Sequence, residues 1–556
     1  MPKCKKRALL LLAAAVMLSV SLYGCTGDTQ TSENPTAPAQ SGEPSYGGSV
    51  TVGISQDLDS LDPHKAVAAG SSEVLFNIFE GLVKASSDGE VREAVASDYG
   101  ISEDGLTYTF TLREGVTFHN GEPVTVEDVV YSLERCAGSE NDGTPLISAF
   151  SNVTNISAPD DSHVTVTLAE PSLEFIYSMT AAIIPEGSGD GIAQNPVGTG
   201  PFQFVSYSPQ DSMVIYKYEG YWGEAAYLDQ VTFRIITNSD TLVMSLQSGS
   251  LDMAIHVPNT QASQVEGRFT VVEDTMKLVQ ALYLNNAVAP FDDVRVRQAL
   301  CYAIDVQQII DFVCDGAGVQ VGSSMYPAFS KYYMEELNDA YPYDVEKAKQ
   351  LLADAGYADG FTMDITVPSN YTQHVQTADV IAEQLKAVGI TVNIVPVEWA
   401  TWVSQVYQGR DYQATVCGIA ASDMTAREMV IRYVSDNSRD FLNFSDEEYD
   451  SVVNQAGTSL DAQEQEQLYK RALTILSEQA ASVWLQDLCD LTVMAPELGG
   501  LELYRTYVLD MSTIYYYACA GKRGAGGQRP AFSKSRFRQA ADFTHERDAY
   551  PWQKPF

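Results

Sequence analysis

Three short segments in the C-terminal half of the chain carry the side chains best suited to recognising a small molecule. A carboxylate such as that of Asp423 can pair with a buried cation, or it can cap the helix predicted to begin in "MTAREMVIRYV". A tryptophan can line a pocket or pack in a core, and neither role needs a covalent step. The candidate residues are Asn370, Tyr371, Trp399, Trp402, Ser422, Asp423 and Arg427.

The hydrophobic pattern of residues 361–423 predicts the frame that positions these groups. "FTMDITVP", "ITVNIVPV" and "YQATVCGIA" are typical of strands, and "QTADVIAEQLKAVG" and "WATWVSQVYQG" of helices that end at Gly389 and Gly409. The order β-α-β-α-β predicts a parallel sheet with right-handed crossovers. Ligands bind beyond the carboxyl ends of such strands, so the loops 368–371, 398–402 and 421–427 are expected to share one edge that faces a cleft.

Local signals predict further elements along the chain. The apolar spacing of "EVLFNIFEGLV" favours a helix over 73–83, and "YDVEKAKQLLADAG" favours a helix from Asp344 to Gly356. No CxxC pair is present, and Cys301, Cys417 and Cys489 lie in apolar segments. We therefore expect these cysteines to be buried thiols, while the sequence leaves any disulfide pairing open.

The spacing of the reactive residues gives no support to an enzyme or a metal protein. The chain has no GxSxG, HExxH or P-loop motif, and with 73 Asp and Glu residues accidental carboxylate pairs carry no weight. The six histidines form no HxH or HxxxH pair and no His/Cys cluster, and only His374 lies near the predicted edge. We predict that the protein is not an enzyme, holds no metal and needs no cofactor.

The first 45 residues predict export and attachment to a membrane. Four basic residues precede the apolar run "ALLLLAAAVMLSV", which is too short to span a bilayer and indicates a signal peptide over 1–24. "LYGC" resembles the lipobox of bacterial lipoproteins, which implies a lipid on Cys25; a plain secretory signal is the alternative. Residues 25–45 are rich in Thr, Ser, Pro and Gly and predict a disordered tether.

The charge of the chain argues against a polyanionic partner. The formal net charge is −39, although the signal peptide and the tail are both basic. The body is therefore strongly acidic, which excludes nucleic acid as its partner. Residues 521–556 lack periodicity and predict a disordered basic tail, either appended or serving as a partner-binding arm.

Ordered blocks of the sequence resemble the family 5 solute-binding proteins of ABC importers. "ASDYGISEDGLTYTFTLREGVTFHNGEPVTVEDVVYSLER" (96–135) looks like the signature of that family. "NPVGTGPFQFVSY", "FDDVRVRQALCYAID", "IAEQLKAVGITVNIVPVEW" and "FLNFSDEEYDSVVNQA" resemble further blocks, so the resemblance covers about 46–517. It implies an α/β, two-lobe periplasmic-binding-protein-like fold (type II, cluster C), with an extra subdomain in the first lobe.

The resemblance also implies a division of the chain. The second lobe would be 284–488, and the extra subdomain would be 77–197. The chain would cross between the lobes near 283 and 489, and those crossings would form a hinge that lets the lobes close. The first lobe would comprise three separate segments, 46–76, 198–283 and 489–520.

The family implies roles for the candidate residues. In its dipeptide and oligopeptide binders an aspartate after a strand holds the peptide α-ammonium, and the resemblance puts Asp423 in that place beside Ser422. The chain departs from the family in having Asp-Met where many members have Asp-Pro. "VPSNYTQHV" offers no arginine for a peptide carboxylate, and Arg427 would lie one turn into the following helix.

The function implied by the resemblance is that of a monomeric, extracellular substrate-binding subunit. It would capture dipeptides and oligopeptides by hinge closure and deliver them to the transmembrane subunits of a permease with their ATPase subunits. The lipid on Cys25 would hold it at the outer face of the cytoplasmic membrane, facing the periplasm in a Gram-negative source. The alternatives are another solute, such as a nickel chelate, sugar or opine, or a surface receptor without transport.

Overall fold

The computed structural model describes residues 42–66, 68–189, 191–421, 425–437 and 439–518. The predicted signal peptide, Cys25, most of the predicted tether, Ser422, Asp423 and the predicted tail lie outside these residues. Within the described ranges, no helix is long and apolar enough to cross a membrane.

The first lobe is built around a mixed sheet that has seven strands among the described residues. Ser49–Ile54 lies at its centre and runs parallel to Gln230–Ile235 and Met253–Ala254, whereas the other pairings are antiparallel. Val50, Val52 and Ile54 lie in the core of the lobe, at the period of two expected for a strand, and Ser49 and Thr51 are less buried. The spatial order is Thr270–Thr275, Cys489–Met494, Met253–Ala254, Ser49–Ile54, Gln230–Ile235, Ser212–Lys217, Phe202–Ser208.

The prediction of a helix over 73–83 is wrong for most of its length. The helix observed is Ala69–Leu75, and a strand begins at Val83. The Asn77 side-chain amide donates to the carbonyl oxygens of Glu73 at 3.2 Å and Val74 at 3.3 Å, and to that of Leu509 at 2.8 Å. Because the Asn77 side chain donates to carbonyl groups that backbone amides of a longer helix would otherwise bind, the helix ends here.

The extra subdomain consists of an antiparallel sheet and one main helix. The helix Val126–Cys136 begins with a capping box in which Thr125 Oγ1 accepts from the Asp128 amide and Asp128 accepts from the Thr125 amide. Tyr108, Phe110 and Leu133 lie in its core. The strand order is Ala96–Ile101, Thr107–Leu112, His163–Leu168, Val153–Asp160, and the adjoining elements are the hairpin Val83–Ala85 and Val91–Glu93 and the short helix Phe175–Ser178.

A buried ion pair fastens this subdomain to the first lobe. Arg135, 1% exposed, donates from Nη2 to Asp62 Oδ2 at 2.6 Å and from Nη1 to Asp62 Oδ1 at 3.0 Å. His64 lies beside the pair, and its Nε2 is 2.8 Å from the Ala182 carbonyl oxygen. Burial lowers the pKa of His64 to about 4, so this imidazole is neutral and adds no second positive charge beside Arg135.

The second lobe is built around a six-stranded sheet among the described residues. Its strand Leu278–Leu284 is buried at all seven positions because two different cores cover its faces. Val279, Ala281 and Tyr283 enter one core, and Leu282 and Leu284 enter the other. The spatial order is Val319–Gln320, Ser482–Asp487, Leu278–Leu284, Ala414–Ala420, Thr362–Pro368, Thr391–Val397.

Helices cover both faces of this sheet and begin and end at recognisable caps. Asp344 caps the helix Val345–Asp354, and Gly389, with φ of +82°, follows the segment that ends the helix Thr372–Leu385, as predicted. The other helices of the second lobe are Val294–Ala303, Val306–Cys314, Trp399–Thr401 continued by a π-helix Trp402–Gln408, Ala426–Val430, Glu447–Thr458 and Ala462–Glu478. The first lobe contains Ser239–Ser248 and Asn259–Ala262.

Two adjacent segments join the sheets of the two lobes. The first crossing lies between Thr270–Thr275 and Leu278–Leu284, and the second lies at Leu488, between Ser482–Asp487 and Cys489–Met494. The first crossing therefore precedes the position near 283 that was expected, because Leu278–Leu284 pairs with second-lobe strands on both sides. The Met276 amide donates to the Leu488 carbonyl oxygen at 2.7 Å, which holds the two crossings together.

The end of the predicted tether is also ordered. Pro44–Ser45 forms a strand that pairs antiparallel with Tyr515–Tyr517, and Leu498–Gly499 lies on the other side of that strand. Ser45 Oγ donates to the Tyr516 carbonyl oxygen at 2.7 Å. Composition missed this pairing because backbone hydrogen bonds at a sheet edge do not require apolar side chains.

Asp487 is a buried carboxyl group beside the crossings. Its Oδ1 accepts from the Leu278 amide at 3.1 Å. Burial raises the pKa of Asp487 to about 7, although the Thr275 side chain, the Leu278 amide and Lys277 act against this rise. Because the folded pKa lies above the ordinary value of 3.8, the folded chain binds this proton more tightly than the unfolded chain does.

We predict that Asp487 makes the protein less stable as the pH rises. Its stabilising contribution is complete below the unfolded pKa and is lost as the pH rises towards 7. Between pH 5 and pH 8 the wild type should lose about 3 kcal/mol of unfolding free energy relative to Asp487→Asn, which cannot ionise. Urea unfolding of both proteins at a series of pH values measures this difference. The comparison removes the parallel contribution of Asp440, whose pKa burial also raises to about 7. A difference that is independent of pH would contradict the assignment.

Candidate ligand-binding site

The carboxyl ends of three parallel strands meet at one edge of the second-lobe sheet, as the sequence predicts. Thr362–Pro368 lies between Thr391–Val397 and Ala414–Ala420 and is parallel to both. The segments 368–371, 398–402 and 421–427 follow directly, and the rings of Tyr371 and Trp399 meet edge to face with centroids 5.5 Å apart. This edge therefore gathers side chains from separate crossovers.

The two tryptophans of the edge have different roles. Trp399 is 44% exposed, and its ring stacks on Trp402 with centroids 5.1 Å apart and an interplanar angle of 8°. Trp402 is 3% exposed, and its Nε1 donates to Thr415 Oγ1 at 2.9 Å. Trp402 thus lies in the core, which corrects its predicted place on the ligand-facing edge. It supports Trp399, which remains available to stack against a ligand.

Asn370, Tyr371 and His374 follow the first strand of the unit. Asn370 is exposed, and Tyr371 is half-buried with its ring 5.4 Å from that of His374. His374 Nε2 accepts from the Gly418 amide at 3.1 Å, and burial lowers the pKa of His374 to about 4. His374 is therefore a neutral structural residue, and the described residues contain no group of three His, Cys, Asp or Glu that could hold a metal ion.

The loop after the third strand is described only at its two ends. Ser422 and Asp423 lie outside the described residues. The helix Ala426–Val430 that follows has Thr425 as its N-cap, and Thr425 Oγ1 accepts from the Glu428 amide at 3.3 Å. Thr425 thus occupies the N-cap position of this helix, while both roles predicted for Asp423 fall on a residue outside the described ranges.

Arg427 does not join the aromatic edge. Its Nη1 donates to the Val453 carbonyl oxygen at 3.4 Å, and its guanidinium packs against Gly457, both in the helix Glu447–Thr458. The contribution of Arg427 to the ligand site therefore stays a prediction. The one-turn offset into the helix turns the side chain towards the neighbouring helix.

The first lobe contributes a polar cluster that the sequence gave no means to predict. His256 Nε2 lies 2.9 Å from Glu73 Oε1, and His256 Nδ1 lies 3.0 Å from Asp490 Oδ2. Burial acts to lower the pKa of His256, but the two carboxylates prevail and raise it well above its usual value. Both ring nitrogens then carry protons and donate, so the cluster holds a half-buried imidazolium between two carboxylates.

A cavity of about 50 Å³ lies against this cluster and the first crossing. Tyr507 lines it, with its ring 6.4 Å from that of His256, and its hydroxyl makes no hydrogen bond to any described residue. Burial, Glu73, Asp490, Asp487 and Tyr371 all raise the pKa of Tyr507. The phenols of Tyr507 in the first lobe and Tyr371 in the second are therefore close enough to interact electrostatically.

A buried glutamate of the extra subdomain reaches the second lobe beside the loop 421–427. Glu174 is 6% exposed; its Oε2 accepts from Tyr469 Oη at 2.5 Å and its Oε1 from the Arg427 amide at 3.3 Å. Burial raises the pKa of Glu174, although the two hydrogen bonds and the Arg427 charge act against this rise. The residue connects the subdomain to the two helices that flank the candidate site.

Comparison with known proteins finds solute-binding proteins that are similar to this chain over most of its length. Residues 90–441 match the family model described as bacterial extracellular solute-binding proteins, family 5 Middle. The heme-binding protein A of Haemophilus influenzae is 28% identical over 467 residues, which cover 77% of this chain and 84% of the relative. The glutathione-binding protein GsiB of Salmonella typhi is 28% identical over 457 residues, covering 78% and 88%.

Solved structures share the fold across nearly their whole length. The binding protein DppA of Helicobacter pylori, solved with the peptide STSA, has a TM-score of 0.72 and 25% identity, and the match covers 85% of this chain and 99% of that one. The two-lobe α/β fold is therefore that of the periplasmic binding proteins.

We predict that Glu174→Ala weakens the contact between the extra subdomain and the second lobe. The change leaves the Tyr469 hydroxyl and the Arg427 amide without their acceptor, and each unsatisfied buried donor costs about 1–3 kcal/mol. The radius of gyration from small-angle X-ray scattering should therefore increase. Glu170→Ala, which changes an exposed glutamate of the same segment, is the matched control and should leave the radius unchanged. Equal radii for Glu174→Ala and wild type would show that this contact does not hold the two parts together.

Proposed function

The chain belongs to the family 5 bacterial extracellular solute-binding proteins, and from this premise we propose that it captures short peptides between its two lobes for an ABC importer. In this proposal the open protein binds the peptide, the lobes close around it, and the closed form docks on the permease. Capture itself makes and breaks no covalent bond, and it depends on the difference in affinity of the open and closed conformations for the peptide.

One observation carries the proposal: Tyr507 of the first lobe and Tyr371 of the second interact electrostatically, and the Trp399 ring meets that of Tyr371. Tyr371 and Trp399 come from the second-lobe edge, and Tyr507 comes from the first lobe. Rotation about the crossings would change the distance between these two sets while leaving each set intact. A peptide between them would gain stacking contacts and a hydrogen bond from the Tyr507 hydroxyl.

Asp423 and Ser422 are the proposed polar anchors for the peptide amino group. They follow the strand Ala414–Ala420, whose carboxyl end points to the same edge as Trp399. An ammonium group that leaves water needs a carboxylate partner, and the helix N-cap at Thr425 does not require Asp423 in that role. Asn370 is exposed beside Tyr371 and is proposed to contact the peptide backbone.

Two of the ligands named for similar proteins are peptides, which favours a peptide as the solute, and a third is not. DppA was solved with the peptide STSA, and GsiB is named for glutathione, which is itself a peptide. The relative named for heme supports the alternative that this chain carries a different solute. A nickel chelate, a sugar and an opine remain further alternatives, as does a receptor without transport.

The proposed location is the outer face of the cytoplasmic membrane. It rests on the sequence "LYGC", in which Cys25 would carry the lipid, and on the acidic body that would not itself adhere to anionic lipid. Residues 26–43 would then span the distance between the lipid and the strand Pro44–Ser45.

Native mass spectrometry of residues 26–556, purified without refolding, tests the proposed function. Closure buries the ligand, so we expect an adduct that fragments into amino-acid residues. An adduct of another chemical class would keep the binding role and overturn the assignment to peptides. If the protein carries no adduct, thermal shifts against a library of dipeptides to pentapeptides decide, and the absence of any shift would contradict the proposal.

We predict that Asp423→Asn weakens the binding of peptides with a free amino group by about 30-fold or more. The reason is that the variant leaves a buried ammonium without its counter-charge, a loss worth roughly 2–5 kcal/mol. Isothermal titration with a peptide and its N-acetylated form measures the effect, and the acetylated peptide should bind both proteins alike. Asp411→Asn is the matched control, since this exposed acid precedes the same strand at its opposite end. An equal loss for both peptides would remove Asp423 from the ammonium site.

A further inference from the structure

Two cysteines lie together at the second crossing between the lobes. Cys314 is the last residue of the second-lobe helix Val306–Cys314, and Cys489 is the first residue of the first-lobe strand Cys489–Met494. The Cys489 amide donates to Cys314 Sγ at 3.4 Å, and both thiols are free and buried. Residues from the two lobes thus contact each other through sulfur directly beside the hinge.

The surroundings hold the two cysteines side by side. Asn259 of the first lobe donates from Nδ2 to the Cys314 carbonyl oxygen at 2.7 Å, and its Oδ1 accepts from Cys489 Sγ at 3.5 Å. Leu278, directly after the first crossing, and Leu488, in the second, form one small apolar cluster with both cysteines. By contrast, the thiols of Cys136, Cys301 and Cys417 lie in the separate cores of the subdomain and the second lobe.

We propose that Cys314 and Cys489 form a redox-active dithiol that closes to a disulfide across the hinge. The oxidant is a low-molecular-weight disulfide, a class of molecule that an exported protein can meet outside the cytoplasm. The pair is a site of covalent modification, and the bond links a second-lobe helix to a first-lobe strand. It adds a third covalent connection beside the two chain crossings.

The reaction balances as two thiol–disulfide exchanges. The Cys314 thiolate attacks one sulfur of the small disulfide, forms a mixed disulfide and expels the first small thiolate. The Cys489 thiolate then attacks the Cys314 sulfur, forms the Cys314–Cys489 bond and expels the second small thiolate. The protons of the two cysteines end on the two small thiols, so the protein loses two electrons and the small disulfide gains them.

The pKa values of the two cysteines shift in opposite directions, which assigns Cys314 the first exchange and Cys489 the second. Hydrogen bonding from Cys489, whose amide donates to Cys314 Sγ, lowers the pKa of Cys314, which favours Cys314 as the attacking thiolate. The pKa of Cys489 is raised, first by its hydrogen bond to Cys314 and then by burial and by the Cys314 charge. Once Cys314 is in a mixed disulfide, its sulfur is a weak acceptor and bears no charge, so neither its hydrogen bond nor its charge opposes ionisation of Cys489 any longer.

The disulfide would restrict the motion on which capture of a solute depends. The crossings are joined by the hydrogen bond from Met276 to Leu488, and the new bond would lie next to it. Relative rotation of the lobes would then have to move a covalently linked helix and strand. This consequence rests on the proposed hinge closure, whereas formation of the bond rests only on the contact between the cysteines.

The test uses the mature chain with no solute, incubated with oxidised or reduced glutathione. We expect oxidised glutathione to lower the intact mass by about 2 Da and peptide mapping to find Cys314 joined to Cys489. Cys314→Ser and Cys489→Ser should abolish the mass loss, and Cys301→Ser, which changes a buried thiol elsewhere, should retain it. Alkylation of both cysteines in wild-type protein unfolded after oxidation would overturn the proposal, and so would a disulfide from either one to another cysteine.

Amide hydrogen exchange tests whether the Cys314–Cys489 disulfide restricts the crossings, independently of whether the disulfide forms. In the oxidised chain the amides of Met276, Leu278 and Cys489 should exchange about tenfold more slowly than in the reduced chain, because opening of the crossings is restricted. Unchanged exchange with the disulfide present would overturn the restriction of the hinge. Neither readout needs a ligand, so failure of the peptide assignment would leave both results interpretable.

Discussion

The hydrogen bond from the Met276 amide to the Leu488 carbonyl oxygen holds together the two segments that join the lobes. Among the described residues, no strand of one large sheet pairs with a strand of the other. The proposed relative motion of the sheets would therefore pivot at this place. The Leu278 amide adds a hydrogen bond to the Asp487 carboxylate on the second-lobe side. The groups proposed to meet a solute, to titrate and to undergo oxidation all lie within or beside this junction.

The arrangement places rigid surfaces on either side of a narrow connection. Trp402 is fixed by the core and by its hydrogen bond to Thr415, and it holds Trp399 at the edge of the second lobe. In the first lobe His256 is fixed by Glu73 and Asp490, beside Tyr507. Since both sets are held by packing and hydrogen bonds, the proposed closure would bring two preformed surfaces together at little cost in side-chain entropy. The Glu174 contact provides a separate link between the extra subdomain and the second lobe.

Much of the fold follows from local patterns. The alternation in "FTMDITVP" and "YQATVCGIA" predicted strands of the parallel unit, and Asp344 and Gly389 lie at helix ends as their chemistry requires. The failures have tertiary causes. Asn77 ends a helix whose apolar spacing continues, because its amide also binds Leu509, far away in the chain. Arg427 lies in the segment predicted to follow the third strand, and its side chain contacts the neighbouring helix Glu447–Thr458, which no local spacing indicates.

The sequence by itself determined the parallel unit and the places of Tyr371 and Trp399 after its strands, because periodicity and caps act over a few residues, and its resemblance to a family implied the two-lobe fold. Only the tertiary structure decided which distant residues meet: His256 is separated by 183 positions from Glu73 and by 234 from Asp490. Cys314 and Cys489 meet across 175 positions. Such contacts depend on how whole sheets pack and where the chain crosses between them, and no local spacing encodes that placement.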